Sequence, residues 1–130
     1  MADLPDAVRA LVDGPNYAHL ATVLPDGGPH SVPVFVGLEG DRIAFLTSPG
    51  SRKARNLEHD PRVALSITDR DWPGTMAHIR GRVARRLEDA SAWVIIDRIS
   101  RKYTGHPHPV RADRVVFLID PEHAWGHTFG

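Results

Sequence analysis

Apolar residues first recur at helical spacing. Leu4, Val8, Leu11 and Val12 share one face of a predicted helix over residues 4–13, which Gly14 and Pro15 stop. From Tyr17 to Leu24 the period falls to two, with Ala18, Leu20, Thr22 and Leu24 on one side. Pro25-Asp26-Gly27-Gly28 then turns the chain into a second extended run, His30 to Leu38. Glu39-Gly40-Asp41 leads into a third, Arg42 to Thr47, and the three are read as consecutive antiparallel strands. A short helix is expected from Arg52 to about His59, then a strand from Arg62 to Asp69 and a long one from Thr75 to about Leu87. Ala92, Ile95, Ile96, Ile99 and Tyr103 restore the helical period over Asp89–Tyr103, ended by Gly105 and Pro107. Arg114 to Asp120 reads as the last strand, with an aromatic and histidine-rich tail from Pro121. About six strands joined mostly by hairpins disfavour a doubly wound parallel sheet. They fit a mainly β fold, a small antiparallel barrel flanked by helices.

At 130 residues the expectation is a single domain over 1–130. A chain this small has difficulty enclosing a large private cavity, so a groove shared between two copies is the expected home for a sizeable ligand. Sixteen basic and sixteen acidic residues cancel, which removes the cationic field of a general nucleic-acid binder. The scattered aromatic residues show no stacking pattern for RNA either. The absence of cysteine excludes disulfides, thiolate nucleophiles and cysteine-held metal clusters. No apolar run approaches a membrane span and no signal-peptide plan opens the chain, so a cytoplasmic protein without a membrane partner is expected.

Candidate chemistry concentrates in Thr47-Ser48-Pro49-Gly50-Ser51-Arg52-Lys53-Ala54-Arg55-Asn56-Leu57. Ser51 can cap a helix whose first turn carries Arg52, Lys53 and Arg55. Cations there oppose the helix dipole, at roughly 0.3–1 kcal/mol each. A bound anion, most often phosphate, would compensate them. The plainer alternative is a solvated helix whose cations pair with Asp60 or other surface acids. No Walker motif and no Gly-x-Gly-x-x-Gly is present. Pro33, within Ser31-Val32-Pro33-Val34, marks an edge strand or a strand with something other than a neighbour against its backbone, such as a flat ring system. Gly81 permits a close backbone approach of unspecified kind. His123 and His127 have helical ligand spacing but enclose Gly126, so no metal site is expected. The serines include no Gly-x-Ser-x-Gly elbow.

Several segments together resemble the split-barrel flavin and deazaflavin oxidoreductases, the pyridoxamine 5′-phosphate oxidase-like superfamily, and within it the F420-dependent branch. They are Leu20-Ala21-Thr22, Pro25-Asp26-Gly27, Pro29 to Val34, Ser51 to Leu57, Asp60 to Ser66, Ile79 to Val83, Lys102-Tyr103-Thr104-Gly105 and Ala124-Trp125-Gly126. The resemblance implies a six-stranded antiparallel split β-barrel that forms a homodimer with cofactor sites at the interface. It implies a cofactor phosphate at Ser51, Arg52 and Lys53, with Thr47 and Ser48 beside them. The isoalloxazine or deazaflavin ring would lie along Ser31, Val32, Pro33 and Val34, with Asn56 and Trp125 as neighbours. Phe35 departs from the tryptophan many relatives carry near that place, and the loop Asp71-Trp72-Pro73-Gly74 is individual; both bear on substrate choice.

The implied activity is hydride transfer from coenzyme F420 to a small conjugated or unsaturated acceptor. An FMN-dependent oxidase or reductase is the alternative, and so is a non-catalytic cofactor- or heme-binding barrel. The catalytic residue is not assigned. His78 or Arg80 could supply a proton if their strand parity faces the site.

Overall fold

The computed structural model describes residues 2–129. In chain order the elements are α1 (Asp6–Asp13), β1 (Ala18–Val23), β2 (Pro29–Val34), β3 (Val36–Glu39), β4 (Arg42–Thr47), α2 (Arg52–His59), β5 (Arg62–Thr68), β6 (Thr75–Leu87), α3 (Ala90–Thr104) and β7 (Val115–Thr128). All strand pairs are antiparallel, in the order β2-β1-β5-β6-β7-β4-β3. β2 and β3 therefore occupy opposite edges of the sheet, yet only Phe35 separates them in sequence. One residue cannot span an open seven-stranded sheet, so the sheet must curl until its edges meet. The result is a barrel split between β2 and β3.

That split is the first departure from the sequence reading. The run His30–Leu38 was expected as one strand, and it is two strands with different partners. Its near-continuous apolar character hides the change of partner, and the strand count becomes seven. The second departure is at the other end. β7 does not stop at Asp120 but continues to Thr128, paired with β6 throughout. Beyond Pro121 most of its residues are exposed, so no buried face signalled a strand. A register shift at Arg80/Gly81 accommodates Pro121, and there a Cβ on Gly81 would overlap the carbonyl oxygen of Asp120. Gly81 thus serves strand-to-strand approach.

Val8, Leu20, Ile43, Phe45, Ile79 and Ile119 belong to the barrel core. A second cluster joins Ile95, Ile96 and Ile99 of α3 to Ala44, Val116 and Leu118 on the outer face of β4 and β7. Phe45 is fully buried against Phe117, with centroids 5.3 Å apart. The amphipathic spacing of α1 works as read, burying Val8, Leu11 and Val12.

The seam has no backbone ladder, and side chains satisfy its polar groups instead. The Val36 amide donates to the Tyr103 hydroxyl at 3.2 Å, and the Val36 carbonyl accepts from Lys102 Nζ at 2.5 Å. Lys102 also donates to the Val12 carbonyl at 2.8 Å, tying α1, α3 and the β2–β3 corner together. Burial, partly opposed by Asp13, pushes the Lys102 ammonium down to about 8.

Candidate functional site

Ser51 caps α2 as its position predicts: its Oγ accepts from the Ala54 amide at 3.2 Å and from Thr47 Oγ1 at 2.9 Å. With those two bonds accepted, the Ser51 hydroxyl proton is free to be donated. The Ser51 amide closes the turn onto the Ser48 carbonyl at 3.2 Å. Asn56 is fully buried, and its amide donates to Thr22 Oγ1 on β1 at 2.9 Å while its carbonyl oxygen accepts from Arg52 Nε at 3.0 Å. Asn56 therefore clamps α2 to the barrel and fixes the direction of Arg52.

The cations of this turn are not neutralised by the protein. Asp60 binds Arg62 at 2.6 Å, and Arg62 holds its carboxyl down at about 2. Glu58 faces Arg86 at 3.9 Å. Among the described residues Arg52, Lys53 and Arg55 have no carboxylate partner. Lys53 is half-buried, and burial pushes its ammonium below the ordinary lysine range. A desolvated cation at the positive end of a helix is doubly unfavourable, and an anion there relieves both costs. The surface-paired alternative loses its expected partner, since Asp60 is taken by Arg62.

Lys53 lines a cavity of about 270 Å³ with Pro33, Val34, Tyr17, Phe35 and Leu46. The phosphate-type turn and the end of β2 thus meet in one place. Other expected members are elsewhere. Along β2, Ser31 and Pro33 lie exposed on the outer face, whereas Val34 is buried and Val32 packs against the core. Ser31 lines a separate hollow of about 300 Å³ with His19, Ser66, His78 and Arg80. The register places His78 and Arg80 on this outer face, which resolves their parity. Trp125 shares the cross-strand row of Pro33, through His19, Ser66 and His78. Four strand spacings of ~4.8 Å put it about 19 Å away along the sheet. Within one chain Trp125 instead stacks on His127 and tilts against His78.

Tyr17, Phe35 and Leu46 were not anticipated as cavity walls, and only the meeting of the sheet edges at Phe35 brings them there. His30 was also missed: its Nδ1 is buried without a hydrogen-bond partner. Among the described residues no group of three or more potential metal ligands forms a site, and no helix is long and apolar enough to cross a membrane.

A curled antiparallel sheet split at one corner, with an uncompensated cationic helix start opening on that corner, defines a class of cofactor-binding split barrels. The sequence profile of the family described as pyridoxamine 5′-phosphate oxidase matches residues 4–128, and the chain belongs to that family. Among curated relatives, a pyridoxine/pyridoxamine 5′-phosphate oxidase of Mycolicibacterium paratuberculosis is 39% identical over 103 residues, covering 77% of this chain and 44% of that protein. One from Kineococcus radiotolerans is 41% identical over 70 residues, covering 54% and 30%. The chain thus spans less than half the length of these relatives. Among solved structures, an F420 reductase superposes with a TM-score of 0.82 at 30% identity, covering 94% of this chain and 98% of that one. A conserved hypothetical protein from Mycobacterium tuberculosis shares the fold, at a TM-score of 0.77 and 24% identity.

Proposed function

We propose that residues 1–130 form one cofactor-binding domain of a cytoplasmic, homodimeric oxidoreductase that uses coenzyme F420 to reduce a small conjugated or unsaturated acceptor. The observation carrying this reading is the uncompensated, half-buried Lys53 beside the free start of α2. Its donor set fits a phosphate: the Lys53 ammonium, the Ser51 hydroxyl and the first-turn amides of Arg52 and Lys53, which lie ahead of the capped Ala54 amide. Arg52, steered by Asn56, and Ser48 and Thr47 complete that end. Pro33 and Val34, in the same cavity, offer a flat apolar strand for the ring. Val32 contributes through its backbone only, because its side chain packs on the core.

When bound, the deazaflavin supplies a hydride, and the protein binds it, holds the acceptor and excludes water. Ser31 and Trp125 enter this reading through the second subunit. Both lie on the outer face of the sheet, and a second copy placed against that face would bring one subunit's Trp125 toward the other's β2. Arg52, Lys53 and Arg55 also suit the acidic tail of F420.

Preference for F420 rests on the F420 reductase, which this chain matches over nearly its full length. FMN is the second reading, favoured by the curated oxidase relatives. A barrel that binds cofactor without turnover is a third outcome. Titration of the cofactor-free protein with F420 and, separately, FMN decides between the first two. Micromolar or tighter F420 binding with weak FMN binding is expected. The reverse preference moves the protein to the flavin branch, and binding of neither ends the cofactor reading.

A further inference from the structure

Tyr17, Phe35 and Tyr103 form a cluster that the cofactor contacts above leave unused. Phe35 and Tyr103 stack with centroids 4.1 Å apart and planes 5° from parallel. Tyr17 lies 5.8 Å from each, inclined by 25° and 23°. The cluster is fixed from behind. The Tyr103 hydroxyl donates to the Asn16 carbonyl at 2.5 Å and accepts from the Val36 amide. The Asn16 side chain donates to the Leu11 carbonyl and accepts from the Arg70 amide, both at 2.9 Å.

Tyr17 is the member that faces outward. It is 59% exposed, and its hydroxyl makes no hydrogen bond among the described residues. Its ring borders the cavity that also holds Pro33, Val34, Phe35, Leu46 and Lys53. An exposed ring backed by two immobilised rings loses little freedom when a flat molecule stacks on it. The walls other than Lys53 are apolar or aromatic, so a hydroxyl-rich ligand would give up hydrogen bonds to water without replacement.

We infer that Tyr17 is the stacking residue for the acceptor, and that the acceptor is a planar conjugated ring system of the aromatic or quinoid class. This rests on the cofactor reading above. The reduced cofactor supplies the hydride, the acceptor takes it with one proton from solvent, and the cofactor leaves two electrons poorer. Tyr17 takes no part in that transfer; it sets which acceptor reaches it.

The test compares wild type with Tyr17→Ala and Tyr17→Phe, using 2-methyl-1,4-naphthoquinone as the planar acceptor and 2-cyclohexen-1-one as the small one. In Tyr17→Ala, KM for the naphthoquinone rises about tenfold, the worth of one good aromatic stack. Tyr17→Phe restores it, while KM for cyclohexenone and the Kd for F420 stay within about twofold. An unchanged naphthoquinone KM overturns the inference. So does a matching loss of F420 affinity, which would put the cofactor's own ring on Tyr17, or a change of mass in solution, which would put a second copy there. If the wild type binds neither F420 nor FMN, the cofactor reading fails by itself. Naphthoquinone titration of the cofactor-free protein, followed by broadening of the quinone's proton signals, then decides alone: binding lost in Tyr17→Ala upholds the stacking role, and equal binding overturns it.

Discussion

Two lysines stand in matching difficulty at different places. Lys53 and Lys102 are both partly buried, and burial pushes both ammonium groups below their ordinary range. Lys102 donates to the carbonyls of Val12 and Val36 and closes the seam. Lys53 has neither a carboxylate nor a hydrogen-bond acceptor among the described residues, and it opens on a cavity. Burial alone does not distinguish a structural latch from a binding group. The count of unused donors does: one lysine has spent its protons on the fold, and the other has them available for a ligand.

The sharpest way to break this contrast is Lys53→Ala. F420 affinity is expected to fall about 30-fold, roughly 2 kcal/mol, the scale of a charge-assisted bond to phosphate. The thermal midpoint should hold or rise, because a desolvated cation has been removed. Calorimetric titration with a melting curve reads both, and unchanged affinity would refute the phosphate assignment.

Lys102→Met should do the converse. Stability in urea is expected to drop by about 1–2 kcal/mol as two carbonyls lose their donor, with F420 affinity nearly retained. Equal midpoints would show that the ammonium does not hold the seam. A smaller effect is expected of Ser51→Ala, about 1 kcal/mol from the lost cap, with Ser51→Asn recovering most of it.

The smallest effect is in pH. Lys102 titrates near 8 folded and 10.5 unfolded, so between these values the unfolded chain holds the extra proton. Stability from this group therefore rises as pH climbs from about 8 to 10.5, and Lys102→Met removes that rise from the urea midpoints. For Lys53 the lowered value acts on binding instead. F420 affinity weakens as pH rises through it, and Lys53→Arg abolishes the slope.

The sequence made the helices and most strands legible because each keeps a buried face at a fixed period. β5 alternates Val63, Leu65 and Ile67 inward, and α2 begins at Arg52 as its serine cap dictates. It concealed the corner at Phe35, since both flanking segments are apolar and periodicity does not report which strand a segment pairs with. It concealed the second half of β7 because a strand exposed over much of its surface has no apolar face to show. At the site, the cationic turn was visible from residue types in a row. The aromatic wall was not, since Tyr17, Phe35 and Tyr103 meet only when the sheet's edges come together.

That meeting also has a consequence for motion. Elsewhere the sheet is held by continuous ladders, whereas the corner at Val36 depends on one phenol and one ammonium. Opening it breaks few bonds and leaves the β1–β5–β6–β7 ladders intact, so it is a local fluctuation, not an unfolding. The Val36 amide should therefore exchange its hydrogen for deuterium well before the ladder amides of β5. The slit that gives the barrel its shape is also its most readily opened door, and that door stands beside the cavity holding Lys53 and Tyr17.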